Sequence, residues 1–245
     1  MTLTLVLSGI LAPAIFWIVY FYYIDRYKPE PFKFVGMAYI MGMLCAYACL
    51  KFYGILPFLG LPEDPSAIME NNRLAFFWYC MGAVGILEEL FKFLPFIIVI
   101  FCFRAFDEKI DSIIYSSIIA LGFASFENTN YLVYLDGFEL FGRAVASPIT
   151  HAIFSSIWGY SVGVARLSKG SYWIAVPFGL IVSAVLHGLF DFLTTSPTLR
   201  LAASLVILAI WIWQLLTIDH LHKEEIKLKH YFPFFRFNKL KKMNN

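Results

Sequence analysis

Seven stretches of this chain are each as long and as apolar as a membrane-spanning helix has to be, about 20 residues. They are Leu3–Tyr23, Phe34–Leu56, Ala75–Phe103, Ser112–Leu135, Ala144–Leu167, Tyr172–Leu193 and Leu199–Ile218. No soluble body hides so many such runs. Of the 245 residues, 60% are hydrophobic and 15% charged, against roughly 25% charged in ordinary soluble domains. The same balance excludes disorder, and a net charge of +2 gives no case for nucleic acid. The expected fold is all-α: a polytopic transmembrane helix bundle of about seven spans, multi-pass in the cell membrane. Residues 1–218 form one integral-membrane domain and 219–245 a tail. The first run is too long for a signal-peptide core and has no basic residue ahead of it, so it is expected to remain as an anchor. The third is overlong and contains Pro95, which predicts a tilt, kink or break there.

Basic residues orient the bundle. With the N-terminus outside, fourteen Lys and Arg fall on the inner side, seven of them in the tail from Lys223 onward, against only Arg73, Arg143 and Arg200 outside. The positive-inside rule therefore predicts a cytoplasmic C-terminus. The tail mixes these bases with Tyr231, Phe232, Phe234, Phe235 and Phe237. That composition fits either attachment to anionic lipid at the inner leaflet or a solvated topology signal. Cys45, Cys49, Cys80 and Cys102 follow no metal-ligand spacing and read as small buried hydrophobes.

The costly residues are the ionisable ones inside the spans: Glu88, Glu89, Lys92, Glu127, His151, His187 and Asp191. Each costs at least ~2.5–3.5 kcal/mol in a bilayer centre, so such groups must pair, reach water or bind an ion. Their depths agree. Glu127, His151 and His187 lie about seven residues, ~10 Å, from the outer ends of their spans, and the Glu88-Glu89 pair about ~15 Å beyond Trp78-Tyr79. Lys92 follows Glu88 by four residues and Glu89 by three, so it can neutralise one carboxylate and leave the other as a base. Asp191 stands one turn beyond His187 and can fix its tautomer, while Ser155 stands one turn beyond His151. Blander readings exist for each residue alone. Glu88–Lys92 is equally well a structural ion pair, and a lone intramembrane His is more often a helix–helix hydrogen bonder. Tyr131 near an interface is usually belt. Trp158, Trp211 and Trp213 read as core or belt, and Gly82, Ala83 and Gly85 as close helix packing. Lys51, near the centre of the second span, has no assigned role.

Three motifs together resemble the PrsW family of intramembrane proteases, which is related to the CAAX-processing and bacteriocin self-immunity membrane proteases. They are Glu88-Glu89-x-x-Lys92, Phe126-Glu127-x-x-x-Tyr131 and His187-x-x-x-Asp191, each inside a span and in order. The stretch from His151 to Gly159 and the inner-loop segment Asp25-Arg26-Tyr27-x-Pro29-Glu30-Pro31 are also similar to the family. The resemblance implies endoproteolysis of a single-span, membrane-anchored substrate of the anti-sigma-factor type, cut on its extracytoplasmic side. Residues 1–218 are then the protease domain. It further implies that Glu88 or Glu89 is the general base, tuned by Lys92. Either Glu127, His151 and His187 hold a zinc ion, or the two imidazoles donate to the oxyanion without metal. Asp191 would orient His187, and Tyr131 would be a supporting donor. Two rivals stand beside this: a proton- or ion-coupled transporter, and a non-catalytic scaffold or immunity protein. The first lacks an inverted repeat, and the second is disfavoured by intact motifs. Water access requires a cavity open to the outer face.

Overall fold

In hydrocarbon, a helix satisfies its backbone internally, and an apolar chain of this kind has few other options. The computed structural model describes residues 10–63, 65–103, 106–131, 137–168 and 170–231, and every regular element among them is helical. Helix α1 is Ala12–Ile24 and α2 is Phe32–Tyr53. A 3₁₀ turn, Leu56–Leu59, and the short α3, Ser66–Asn71, lead to α4, Arg73–Tyr79. The side chain of Asn72 starts α4 by accepting the Ala75 N–H at 3.0 Å. A π-helical stretch, Cys80–Ile86, joins α4 to α5, Leu87–Cys102. Then come α6, Lys109–Tyr131, α7, Gly137–Leu167, α8, Tyr172–Thr194, and α9, Arg200–Tyr231.

Among the described residues, four helices are long and apolar enough to cross a membrane: α2, α6, α8 and residues Arg200–Ile226 of α9. The shorter α1 is apolar as well, and the third and fifth expected runs fall on α4–α5 and α7. Residues 1–9 of the first expected run, 132–135 of the fourth and 232–245 of the tail lie outside the described residues. The described part of the tail continues α9 without a break across 218–219. It is tied back to the bundle by Lys109 Nζ, 2.9 Å from Glu224 Oε2.

Helix α6 is the axis of the bundle, buried at every position from Ile110 to Ser125. It is rich in Ser, Ala and Gly because neighbouring backbones come close to it on both sides. On the α7 side, Gly159 and Gly163 lie directly against Ser116 and Ser112, where a β-carbon would overlap the hydroxyls. Those hydroxyls are satisfied on their own helix, Ser112 on Lys109 O at 2.5 Å and Ser116 on Ile113 O at 3.0 Å.

Three expectations change here. Pro95 sits inside α5 without ending it; the irregularity lies earlier, at Cys80–Ile86. There Gly85 faces the backbone of Ala184 and Gly188, and Gly188 faces that of Cys80, with no room for a β-carbon at either. The wide π turn adjusts the register of this segment where it presses on α8. Gly82, by contrast, faces open space. Of the cysteines, three are buried but Cys102 is exposed, at the end of α5, because that apolar run turns one face away from the protein.

Candidate functional site

Helices α5, α6, α7 and α8 bring Glu88, Glu89, Lys92, Glu127, His151, His187 and Asp191 into one connected cluster. Lys92 is fully buried at its centre. Its ammonium lies 2.8 Å from Glu89 Oε1, 3.4 Å from Glu88 Oε2 and 2.8 Å from His151 Nδ1, with the Phe123 ring 4.5 Å away. An ammonium only donates, so Nδ1 of His151 accepts and Nε2 carries the ring proton. That Nε2 lies 3.0 Å from Glu127 Oε2. The opposite oxygen of Glu127 is held by Arg143 at 2.7 Å.

The adjacent glutamates differ sharply. Glu89 Oε1 accepts from Lys92 and from His187 Nδ1 at 2.9 Å, while Oε2 accepts from Ser155 at 2.8 Å, Trp158 Nε1 at 2.8 Å and Ser183 at 3.1 Å. Four donors hold it, and the single Ser183 hydrogen is shared with Phe154 O at 2.8 Å. Glu88 has the Tyr53 hydroxyl at 3.2 Å on Oε1 and the long Lys92 contact on Oε2. Its Oε2 is 3.8 Å from His151 Nδ1 and 3.8 Å from His187 Nε2. A cavity of about 40 Å³ reaches it, lined by Cys49, Tyr53, Glu88, Phe126, Glu127 and Asn130, room enough for water. A larger apolar cavity of about 470 Å³ between α7, α8 and α9 is lined by none of the cluster's charged residues.

Glu89, and not Asp191, makes the bond that fixes the His187 tautomer. With Nδ1–H given to Glu89, the Nε2 lone pair of His187 faces Glu88 Oε2 at 3.8 Å and Asp191 Oδ2 at 3.5 Å. A bare lone pair set against two carboxylates is unfavourable, and a proton or metal ion between them relieves it. Glu88, His151 and His187 offer ligand atoms all within 4.8 Å of one another. A tetrahedral ion with bonds of about 2.0–2.2 Å needs its ligands about 3.4 Å apart, so the two 3.8 Å separations fit. This donor set differs from the expected one in a single member, with Glu88 standing where Glu127 was expected. Four carboxylates meet one ammonium and one guanidinium here, and a divalent ion would balance the excess. Lys92 and such an ion would compete for the lone pair on His151 Nδ1.

Several cluster residues escaped the sequence reading. Trp158, taken as core or belt, is fully buried and bonded to Glu89; its place seven residues after His151, on the same helix face, was the available signal. Arg143, counted as an outer-loop charge, pairs with Glu127 and covers the Tyr131 ring at 3.4 Å. Ser183 lies one turn before His187, as Ser155 lies one turn after His151. Tyr53 had no motif to mark it. Tyr131 is 39% exposed, at the edge. Lys51 is exposed, its ammonium 5.3 Å from the Tyr47 ring centre.

The model of the PrsW family intramembrane metalloproteases matches residues 30–216, which include every residue of this cluster. Protease PrsW of Oceanobacillus iheyensis is 31% identical over 225 residues, covering 90% of this chain and 98% of that protein. The Bacillus subtilis protease PrsW is 29% identical over 194 residues, 78% of this chain and 83% of its own. That of Clostridioides difficile is 26% identical over 206 residues, 81% of this chain and 82% of its own. No solved structure matches the chain significantly. The chain belongs to the PrsW family of intramembrane metalloproteases, and it is a multi-pass membrane peptidase.

Proposed function

We propose that this peptidase hydrolyses a membrane-anchored protein on its extracytoplasmic side, with Glu88 as the carboxylate that meets the reacting water. The observation that carries the reading is the contrast between neighbours. A general base needs a free lone pair within reach of water. Glu89 has spent both oxygens on four full donors, whereas Glu88 borders the cavity with Oε2 weakly held. Glu89 then fixes His187 and Lys92, and Glu127 places a carboxylate 3.0 Å from His151 Nε2. The two rings, with centroids 4.9 Å apart, stand where charge develops on the carbonyl oxygen. By the positive-inside count this end of α6 faces outward, which supports attack from that side.

The residues fit the family's metal, and Glu88, His151 and His187 would hold it. Bound there, it would polarise the carbonyl and acidify the water, and Glu88 would then serve as its ligand, the free-base role belonging to the metal-free form. The substrate class implied is a single-span anchored protein of the anti-sigma-factor type. An ion-path reading gains no support, because packed apolar side chains of α6 such as Ile118, Ile119 and Leu121 separate this cluster from the next buried acids.

The test is cleavage of a single-span reporter by the purified protein. Glu88→Gln is expected to lower the rate by about 10³-fold or more. A chelator that abolishes cleavage, with recovery on Zn²⁺, assigns the metal form; cleavage unmoved by chelator yet lost in Glu88→Gln assigns the metal-free form. If Glu88→Gln, Glu89→Gln and His187→Ala all cut as well as wild type, the reading fails.

A further inference from the structure

A second group of buried acids sits at the opposite end of α6. Asp25, at the end of α1, Glu30, in the connection to α2, and Asp111, in the first turn of α6, are 1%, 3% and 1% exposed. Each offers an oxygen within 4.8 Å of the others. Sixteen residues separate Asp111 from Glu127, so the group lies ~24 Å along the helix from the outer cluster. None of these three residues has a part in the proposed hydrolysis.

Their hydrogen bonds are specific and incomplete. Glu30 N–H donates to Asp25 Oδ2 at 3.1 Å, and the Tyr115 hydroxyl donates to Glu30 Oε2. The N–H groups of Asp107 and Glu108 donate to Asp111 Oδ2 at 2.8 and 2.6 Å. Asp111 Oδ1, by contrast, is buried and has no hydrogen-bond partner. Lys28, whose charge reaches these acids, forms its ion pairs with Asp107 and with Glu108 Oε1 at 3.3 Å. Among the described residues, no ion pair reaches any of the three carboxylates. Three acids with an orphaned oxygen among them, beside a Tyr115 ring that packs on Phe103 and Phe106, are costly to bury without a counter-charge.

We propose that Asp25, Glu30 and Asp111 bind a hard divalent cation of the Mg²⁺ or Ca²⁺ class. The donor atoms are all oxygens, which select such ions over zinc. In contrast, the outer cluster offers two imidazoles. The cation clamps the 25–31 connection onto the start of α6, so that the helix carrying Glu127 is anchored at its far end. By the charge pattern of the sequence this site faces the cytoplasm.

The experiment counts Mn²⁺ bound per chain by electron paramagnetic resonance on the chelator-stripped, full-length protein in detergent micelles, with Mg²⁺ and Ca²⁺ as competitors. One Mn²⁺ is expected to remain bound in His151→Ala/His187→Ala, which separates this site from the outer one. Its affinity is expected to fall at least tenfold in Asp111→Asn and in Glu30→Gln. Saturating Mg²⁺ or Ca²⁺ is expected to raise the melting temperature by on the order of 5 °C in the wild type and not in Asp111→Asn, and the stronger competitor names the ion. Should Asp111→Asn fail to fold, Asp25→Asn and Glu30→Gln give the same reading. The proposal is overturned if all Mn²⁺ binding disappears with the two histidines, or if Asp111→Asn and Glu30→Gln bind Mn²⁺ like wild type. It is equally overturned if no divalent cation shifts melting while acidification alone stabilises the chain, the behaviour of acids that share protons. None of these failures bears on the peptidase reading, which uses none of these residues.

Discussion

The two ends of α6 solve the problem of buried carboxylates differently. At the outer end the chain supplies its own counter-charges: Lys92 touches Glu88, Glu89 and His151, and Arg143 holds Glu127. At the other end the described residues supply hydrogen-bond donors but no contacting cation, and one oxygen of Asp111 has no hydrogen-bond partner. The same side-chain type therefore has opposite energetic signs at its two sites. Where donors and charges are built in, as around Glu89, removing the acid strands its partners, even though Glu127 Oε2 still lacks a hydrogen bond. Where the described residues supply no contacting cation, burial favours whatever neutralises the acids, a shared proton or a bound ion.

The strongest test of this contrast is to neutralise one acid at each end. Glu89→Gln keeps the shape but removes the charge that balances Lys92 and fixes His187. It also forces an amide N–H toward donors that already point there. Breaking a buried pair in this way costs about 3–5 kcal/mol, so a large fall in melting temperature together with lost cleavage is expected. Asp111→Asn, in metal-free buffer, is expected to melt no lower than wild type. If the two variants fall equally, the ends of α6 do not differ as described. Glu88→Gln sharpens the comparison within the outer cluster: its cleavage is lost while its melting temperature stays close to wild type, because only one phenol and one long ammonium contact depend on it.

A smaller effect probes how complete the outer network is. Trp158→Phe keeps an aromatic ring against Phe93 and Phe96 while deleting the indole donor to Glu89 Oε2. Ser155 remains on that oxygen, with the Ser183 hydroxyl shared between it and Phe154 O, so the expected cost is about 1–3 kcal/mol by thermal or chemical denaturation. Cleavage should persist at a reduced rate. A loss as large as that of Glu89→Gln would mean that the indole bond, and not the charge pair, holds the cluster together.

The outer cluster was largely legible in the sequence because a charge in a 20-residue apolar run has no cheap explanation. Spacings of three and four residues located Lys92 against both glutamates, and equal depths on separate spans brought Glu127, His151 and His187 together. What stayed hidden was anything whose type is ordinary in a membrane. Trp158, Ser155, Ser183 and Tyr53 look like belt or packing residues until their partner is seen. Arg143 was absorbed into the topology count, where one arginine outside carries no weight. The assignment of the His187 orienter to Asp191 followed helix periodicity, which sees only contacts along one helix; Glu89 reaches the ring from another. The π stretch at Cys80–Ile86 went unread for a similar cause: proline announces a break, while a backbone pressed against Ala184 and Gly188 leaves only small residues behind. The inner acids were visible only as part of an inner-loop motif, since Asp111 joins Asp25 and Glu30 through the fold alone.

Lys51 supplies the smallest expected effect and the boundary of the comparison. It is the one remaining base expected within a span, yet it joins neither region. It lies in the last turn of α2, exposed, with its ammonium over Tyr47. A cation in that turn gains a little from the helix C-terminal carbonyls and can extend its ammonium toward the interface. Lys51→Leu is therefore expected to change the melting free energy by no more than about 0.5 kcal/mol and the cleavage rate by less than twofold. A tenfold fall in cleavage with unchanged melting would instead extend the outer cluster onto α2, where Tyr53 already touches Glu88. The charge balance drawn for Glu88, Glu89, Glu127 and Asp191 would then have to include a third cation, and with it the need for a divalent ion would shrink.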